Sequence, residues 1–254
     1  KKYKPKFNFR IYKDRIEDRK RFESWLKKNL DIQYFIHLAG ISSVAEARKN
    51  PKKTYKINSS STIDIIKKLN NTKLIKLKYF LFSSTSHVYK PSLRSLSEKS
   101  IREPLTIYGK SKKRVEDFII NNKKKIRFKI GIVRIFNFYS IKHKEGFFIN
   151  DFKKKMKSNN IIQKIKRINT SRDYLYLEQL CEILFFILNK RISIPVNVGS
   201  GKKINLINLI ELIKKRYNLS KKFHFENRVY PGLFANISLL RRLGYRKKIV
   251  KFKF

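Results

Sequence analysis

Tyr108 and Lys112 stand four residues apart in Tyr108-Gly109-Lys110-Ser111-Lys112. On a helix that spacing puts both side chains on one face, one turn apart. A phenol ordinarily titrates near pH ~10, so it accepts a proton close to neutrality only beside a group that favours the phenolate, and an ammonium does so. By spacing alone the pair also reads as an ordinary exposed Tyr and Lys. Its neighbours in sequence add weight: the hydroxyl cluster Ser83-Ser84-Thr85-Ser86, His37-Leu38-Ala39-Gly40 upstream of it, and Arg134-Ile135-Phe136-Asn137 downstream. Two later stretches suit an anionic ligand. In Arg172-Asp173-Tyr174 the guanidinium fits phosphate oxygens bidentately, unless Asp173 pairs with it. Asn197-Val198-Gly199-Ser200-Gly201 reads either as a phosphate-side loop or as a plain tight turn.

Strands and helices must bring these residues together. Phe7 to Tyr12 alternates like a strand, and Phe22, Trp25 and Leu26 mark a helix over Arg19 to Asn29. Tyr34 to Ala39 is a near-continuous apolar run, as in a parallel strand covered on both faces. A helix follows Gly40, is broken at Pro51 and resumes over Asn58 to Leu69. Tyr79 to Phe82 is a second buried strand, and its carboxyl end runs into the hydroxyl cluster, where open α/β sheets bind ligands. A long helix over Ile107 to Asn121 carries Tyr108 and Lys112, and Phe128 to Ile135 is a third strand. Beyond Asn137 the alternation loosens into a basic helix over Phe152 to Lys157, an apolar helix over Leu180 to Leu188, a strand over Pro195 to Val198 and an amphipathic helix marked by Ile204, Ile207, Ile210 and Ile213. The fold expected is α/β, a Rossmann-like doubly wound parallel sheet in residues 1–136, interleaved with a small, mainly substrate-binding lobe in 137–254.

The chain has 254 residues, with 63 Lys and Arg against 18 Asp and Glu, a net charge of +45. Such an excess first suggests nucleic acid, since basic surfaces release counterions from phosphate backbones. Here Lys is scattered from Lys1 to Lys253, as codon bias in an AT-rich genome would leave it, so no specific nucleic-acid partner is expected. A single cysteine, Cys181, excludes an internal disulfide and fits a reducing, cytoplasmic setting. No apolar run approaches the roughly 20 residues of a membrane span, so no membrane partner is expected. No metal-ligating set is assigned.

Taken in order, the Ser/Thr cluster, Tyr108 to Lys112, His37 to Gly40 and Arg134 to Asn137 resemble the extended short-chain dehydrogenase/reductases, the NAD-dependent epimerases and dehydratases of nucleotide sugars. The resemblance runs from about Phe7 to Tyr245. It implies that Thr85 is the catalytic hydroxyl that bonds the reacting sugar oxygen, that Tyr108 is the acid/base, and that Lys112 holds the nicotinamide ribose and depresses the tyrosine pKa. It further implies that His37, Leu38, Ala39, Gly40, Asn58 and Ser83 line NAD or NADP together with Tyr108 and Lys112, His37 reading equally as a core histidine. Thr85, Asn137 and Arg172 would bind the nucleotide-diphosphate sugar. Asp14 resembles the acidic residue near the adenine, with imperfect spacing. A homodimer through helices that include Ile107 to Asn121 is also implied.

Departures from the family pattern limit the reading. No Gly-x-x-Gly-x-x-Gly loop to cradle a pyrophosphate occurs in these residues, so the first strand, helix and second strand are expected to be missing and cofactor binding by the chain to be weak. Tyr139-Ser140 lacks the usual Gly-Pro, and Arg228 to Ser238 is short where relatives carry a nucleotide-binding arginine. The expected reaction is hydride exchange at a sugar carbon, as a 4-epimerase or 4-ketoreductase. A dehydratase is disfavoured because Ser86-His87 replaces the acidic residues that usually follow the catalytic Thr. The rival reading is a non-catalytic, basic nucleotide- or RNA-binding scaffold.

Overall fold

The computed structural model describes residues 9–140, 152, 164–165, 168–216, 218 and 224–250. In chain order the elements that matter are α1 (Arg19–Lys27), β1 (Tyr34–His37), α2 (Val44–Lys49), α3 (Pro51–Tyr55), α4 (Thr62–Asn71), β2 (Tyr79–Thr85), α5 (Ile107–Asn121), β3 (Lys129–Ile135), β4 (Asn137–Tyr139), β5 (Lys164–Ile165), β6 (Thr170–Arg172), β7 (Tyr174–Tyr176), α6 (Leu177–Lys190), β8 (Pro195–Val198), β9 (Ile204–Asn205), α7 (Leu206–Arg216), β10 (His224–Phe225), β11 (Tyr230–Leu233) and α8 (Ser238–Arg242).

The principal sheet is wholly parallel in the order β1-β2-β3-β8. Its register sets His37 beside Phe82, Thr85 beside Ile135 and Ile135 beside Val198, so the carboxyl ends of the strands share one edge. The apolar runs are continuous because both faces are covered. Phe80, Phe82, Ile130 and Ile132 face Phe22, Leu26, Ile65, Ile66, Leu69, Val115 and Ile119 from α1, α4 and α5. Their strand neighbours Tyr79, Leu81 and Val133 face the other way, onto Ile183 and Ile187 of α6 and Leu240 of α8. This two-sided alternation is the period of a pleated strand. The expected α/β doubly wound sheet is therefore the fold observed.

The second half forms β11-β6-β9 and the short pairs β4-β7 and β5-β10. Ser92 and Leu96, in the loop after β2, bridge to Gly232 and Ala235. Strand β8, late in sequence, returns to the principal sheet, so the two halves interleave.

Three expectations change. Residues 9 to 12 form no strand, because a strand needs a ladder partner and none lies beside them among the described residues; Tyr12 instead packs its ring on Phe22 and Trp25. Pro51 starts α3 rather than only ending a helix, its missing N–H being harmless at a first helical position. Between α3 and α4 the chain takes a π-helical turn over Lys56–Ser61, which the sequence pattern does not signal. The basic helix expected over 152–157 lies outside the described residues except for Phe152. No helix among the described residues is long and apolar enough to cross a membrane.

Candidate active site

Thr85 ends β2 in extended conformation, and its hydroxyl accepts from the His87 N–H at 3.2 Å, capping the short turn Ser86–Val88. Thr106 caps α5 by accepting from Gly109 N at 3.0 Å, which fixes where Tyr108 enters the helix. Gly109 is required there: a Cβ would lie 2.1 Å from the His87 carbonyl oxygen, so only glycine lets α5 approach the end of β2 so closely. Tyr108 comes within reach of the Thr85 hydroxyl by this approach. Burial raises the phenol's pKa and the Thr85 hydrogen bond offsets part of that rise.

Lys112 is buried, donates to the Ser83 carbonyl at 2.8 Å and lies over the Phe82 ring at 5.0 Å. Burial brings its ammonium down to about 8. The four-residue spacing does place Tyr108 and Lys112 in one cavity.

At the end of β1 the residues of His37 to Gly40 separate. Leu38 and Gly40 line the cavity, whereas the His37 ring is turned into the core, stacked near Phe80 and Phe82 and 3.0 Å from the Thr62 hydroxyl. Burial, then the charge of Lys112, lowers its imidazole to about 3. His37 thus offers the site only its backbone, whose carbonyl accepts from the Ser83 hydroxyl at 2.9 Å, and Ala39 does not line the cavity. Asn58 is fully buried and acts at one remove. Its amide accepts from Ile41 N and donates to Ile41 O and to the Ser111 hydroxyl, at 2.8, 2.9 and 3.1 Å. Those bonds hold the turn containing Gly40, which has φ +148°; a Cβ there would stand 2.8 Å from Asn58 Oδ1 and 3.6 Å from Lys112 Nζ. The π turn presents Asn58 and Ser59 to Ser111 of α5, a functional use such turns often have.

The cavity measures about 840 Å³ and runs from Gly40 past Thr85, His87, Tyr108 and Lys112 to Asn137 and Arg172. Arg172 donates within its own strand, to the Thr170 hydroxyl at 3.2 Å and the Ser171 carbonyl at 3.0 Å, and burial lowers its pKa. It does not pair with Asp173, and no salt bridge reaches it among the described residues. Asp173 is buried and accepts from Ser200 N, Ser200 Oγ, Gly201 N and Ala235 N at 2.7 to 3.2 Å. The Gly199-Ser200-Gly201 stretch is accordingly a turn pinned by Asp173. Asp14 pairs with Arg21 on the surface, and Arg228 stacks on Tyr230 at 5.5 Å; neither lines the cavity.

Residues 1–229 match the model of a family described as GDP-mannose 4,6 dehydratase. The chain belongs to that family. The resemblance to NAD-dependent nucleotide-sugar epimerases and dehydratases is thereby borne out. The dTDP-D-glucose 4,6-dehydratase of Dictyostelium discoideum is 28% identical over 226 residues, covering 84% of this chain and 50% of that protein. The dTDP-4-dehydro-6-deoxyglucose reductase of Escherichia coli is 28% identical over 229 residues, covering 87% and 72%. Among solved structures, a UDP-glucose-4-epimerase from Stenotrophomonas maltophila with bound NAD and formylated UDP-arabinopyranose superposes with TM-score 0.77 at 20% identity, covering 95% of this chain and 78% of that one. The last likeness shows the fold. The chain spans half the length of the Dictyostelium relative and about three quarters of the bacterial one.

Several residues of this GDP-mannose 4,6 dehydratase family member escape a reading by motif. Arg48 of α2 reaches the cavity rim, and Leu177, Leu180, Cys181 and Leu184 of α6 form an apolar wall. Behind Thr85, Glu116 and Arg134 form a buried ion pair at 2.7 Å; Ser84 donates to Glu116, and Arg134 also donates to the Tyr89 hydroxyl at 2.8 Å. Tyr89 in turn donates to Asn197 at 2.6 Å. One signal was available for Glu116: it follows Lys112 by four residues, on the same helical face.

Proposed function

We propose that the chain acts on a nucleotide-diphosphate sugar as a 4-epimerase or 4-ketoreductase that uses NAD or NADP, with Thr85, Tyr108 and Lys112 as its catalytic residues. The observation that carries this reading is the cavity's composition. It joins a hydroxyl, a phenol and an ammonium at one end to a guanidinium without an ion-pair partner among the described residues, and the described residues lining it include Arg48, Lys112 and Arg172 but no acidic side chain. Three cations with no counter-charge among the described lining residues suit a diphosphate.

Thr85 and Tyr108 are placed to meet the hydroxyl of the reacting sugar carbon. Tyr108 accepts the hydroxyl proton in the epimerase direction and donates it to a 4-keto oxygen in the reductase direction. Arg172 meets the diphosphate and Asn137 the sugar-nucleotide, so that residues 137–254 supply most of the substrate-binding lobe. Gly40 leaves a cradle that a Cβ would fill, beside the exposed Leu38 and the Lys112 ammonium, which fits the nicotinamide-ribose end of a dinucleotide. The Ser83 bond to the His37 carbonyl and the Asn58 bonds to Ile41 hold that cradle's backbone, in which Ala39 lies. A nicotinamide held there would take up and return hydride in the epimerase direction, and in its reduced form would deliver hydride to the keto carbon in the reductase direction. Elimination of water is disfavoured, because no carboxylate among the described lining residues could move the second proton. The cavity also favours this reading over a basic RNA-binding scaffold, which needs no such concave site. A homodimer through α5 is part of the same proposal.

The test is turnover of nucleotide-linked sugars, followed by NMR as 4-epimerisation or reduction of a 4-keto group. Tyr108→Phe should lower the rate by roughly 10²–10⁴-fold, the loss of a proton shuttle, while leaving nucleotide-sugar affinity within a few-fold. Wild-type turnover in that variant would remove Tyr108 from the mechanism.

A further inference from the structure

We propose that His87 is the residue that reads the sugar, its imidazole hydrogen-bonding an uncharged oxygen on the stretch of the sugar between the reacting carbon and the diphosphate. The inference rests on the nucleotide-sugar reading above and deepens it.

The position of the ring carries the argument. His87 lines the cavity, its ring centroid 5.7 Å from that of Tyr108 with the planes at 64°. It also feels the charge of Arg172 strongly enough to be lowered by it. On that reading Tyr108 meets the reacting carbon and Arg172 the phosphates, and the imidazole shares their cavity, beside Tyr108 and within electrostatic reach of Arg172. Its backbone cannot drift: the N–H is held by Thr85, and the carbonyl is wedged against Gly109 of α5. Among the described residues no hydrogen bond reaches either ring nitrogen. Both are left to whatever enters.

The protonation state limits what that can be. Burial first and Arg172 second bring the imidazole down to about 4, so near neutrality it is uncharged and presents one donor and one acceptor. Such a ring matches a hydroxyl, or a keto oxygen through its N–H alone. It gives no charge to attract a carboxylate and no stable cation to act as an acid.

The experiment compares wild type, His87→Gln and His87→Phe by calorimetric titration with matched pairs: UDP and UDP-glucose, dTDP and dTDP-glucose, GDP and GDP-mannose. For the pair the wild type prefers, His87→Phe should weaken the sugar nucleotide by about 3- to 10-fold, the worth of one neutral hydrogen bond, and leave the nucleoside diphosphate within about 2-fold. His87→Gln, which keeps a donor and an acceptor, should recover part of the loss. On the wild-type protein, the His87 imidazole ¹⁵N resonances should shift with the sugar nucleotide and not with the nucleoside diphosphate, a readout that survives if a variant fails to fold. Equal weakening of both members of a pair, or an unmoved imidazole at saturation, would overturn the role of His87 while leaving the nucleotide-sugar reading intact. Failure of folded wild type to bind any of the six ligands would overturn both.

Discussion

Lys112 shows what a single buried side chain can be asked to do. Its ammonium bridges β2 to α5 through the Ser83 carbonyl and faces the Gly40 cradle, at the cost of a pKa brought down to about 8. Lys112→Met should therefore lower activity and weaken dinucleotide binding together, measured by turnover and by titration with NAD and NADP. Loss of one with the other unchanged would separate the two roles. At this scale the sequence was informative where chemistry is fixed by local spacing, as in Tyr108 and Lys112, and where a strand end must carry hydroxyls, as in Thr85. It was ambiguous for adjacent residues. Arg172 and Asp173 look like a pair in sequence, yet neighbours along an extended segment point to opposite sides. One enters the cavity and the other pins the turn at Ser200.

At the level of elements, the site depends on β2, β3 and α5 keeping their mutual distance, and the Glu116 to Arg134 ion pair beneath Ser84 enforces it. Both side chains are almost completely buried, so removing one leaves a charge without its partner. Glu116→Ala should destabilise the fold by roughly 3–5 kcal/mol, read from urea unfolding, with activity falling alongside. A change under about 1 kcal/mol, the range of an exposed pair, would mean the network is not structural. Helix α5 and strand β8 were legible to the residue because caps, apolar periodicity and a proline bound them locally. The π turn at Lys56–Ser61 was not, since it is imposed by what Asn58 must reach on Ile41 and Ser111, far away in sequence. Residues 9 to 12 show the converse: an alternating pattern states a preference for strand, and only a neighbouring strand can satisfy it.

The whole molecule combines a +45 charge with two uncharged histidines, His37 buried and His87 half-buried, and both features bear on pH. His37 and His87 are lowered to about 3 and about 4, whereas in the unfolded chain they titrate near ~6.5. Below ~6.5 the unfolded state takes up protons that the folded state refuses, so stability falls as pH falls and each group's contribution levels off below its folded pKa. Each histidine should contribute a slope of up to about 1.4 kcal/mol per pH unit in that window, measurable from urea midpoints between about pH 7 and pH 5. A flat profile would mean that the two rings are protonated in the fold. The charge itself, spread along the chain, should give only salt-sensitive, sequence-blind binding of single-stranded RNA. Composition conveyed the size of that charge but not the cavity, free of acidic side chains among its described lining residues, which exists only once β2, α5 and β6 are brought together.

That cavity is the centre of the account, and calorimetric titration with nucleotide-diphosphate sugars tests it most directly. Wild type should bind at least one of UDP-glucose, dTDP-glucose and GDP-mannose, Arg172→Met should lose about 10-fold or more of that affinity with the loss of a charge-assisted phosphate contact, and Tyr108→Phe should stay within a few-fold. Binding that is unchanged in Arg172→Met, or absent from folded wild type, would contradict it.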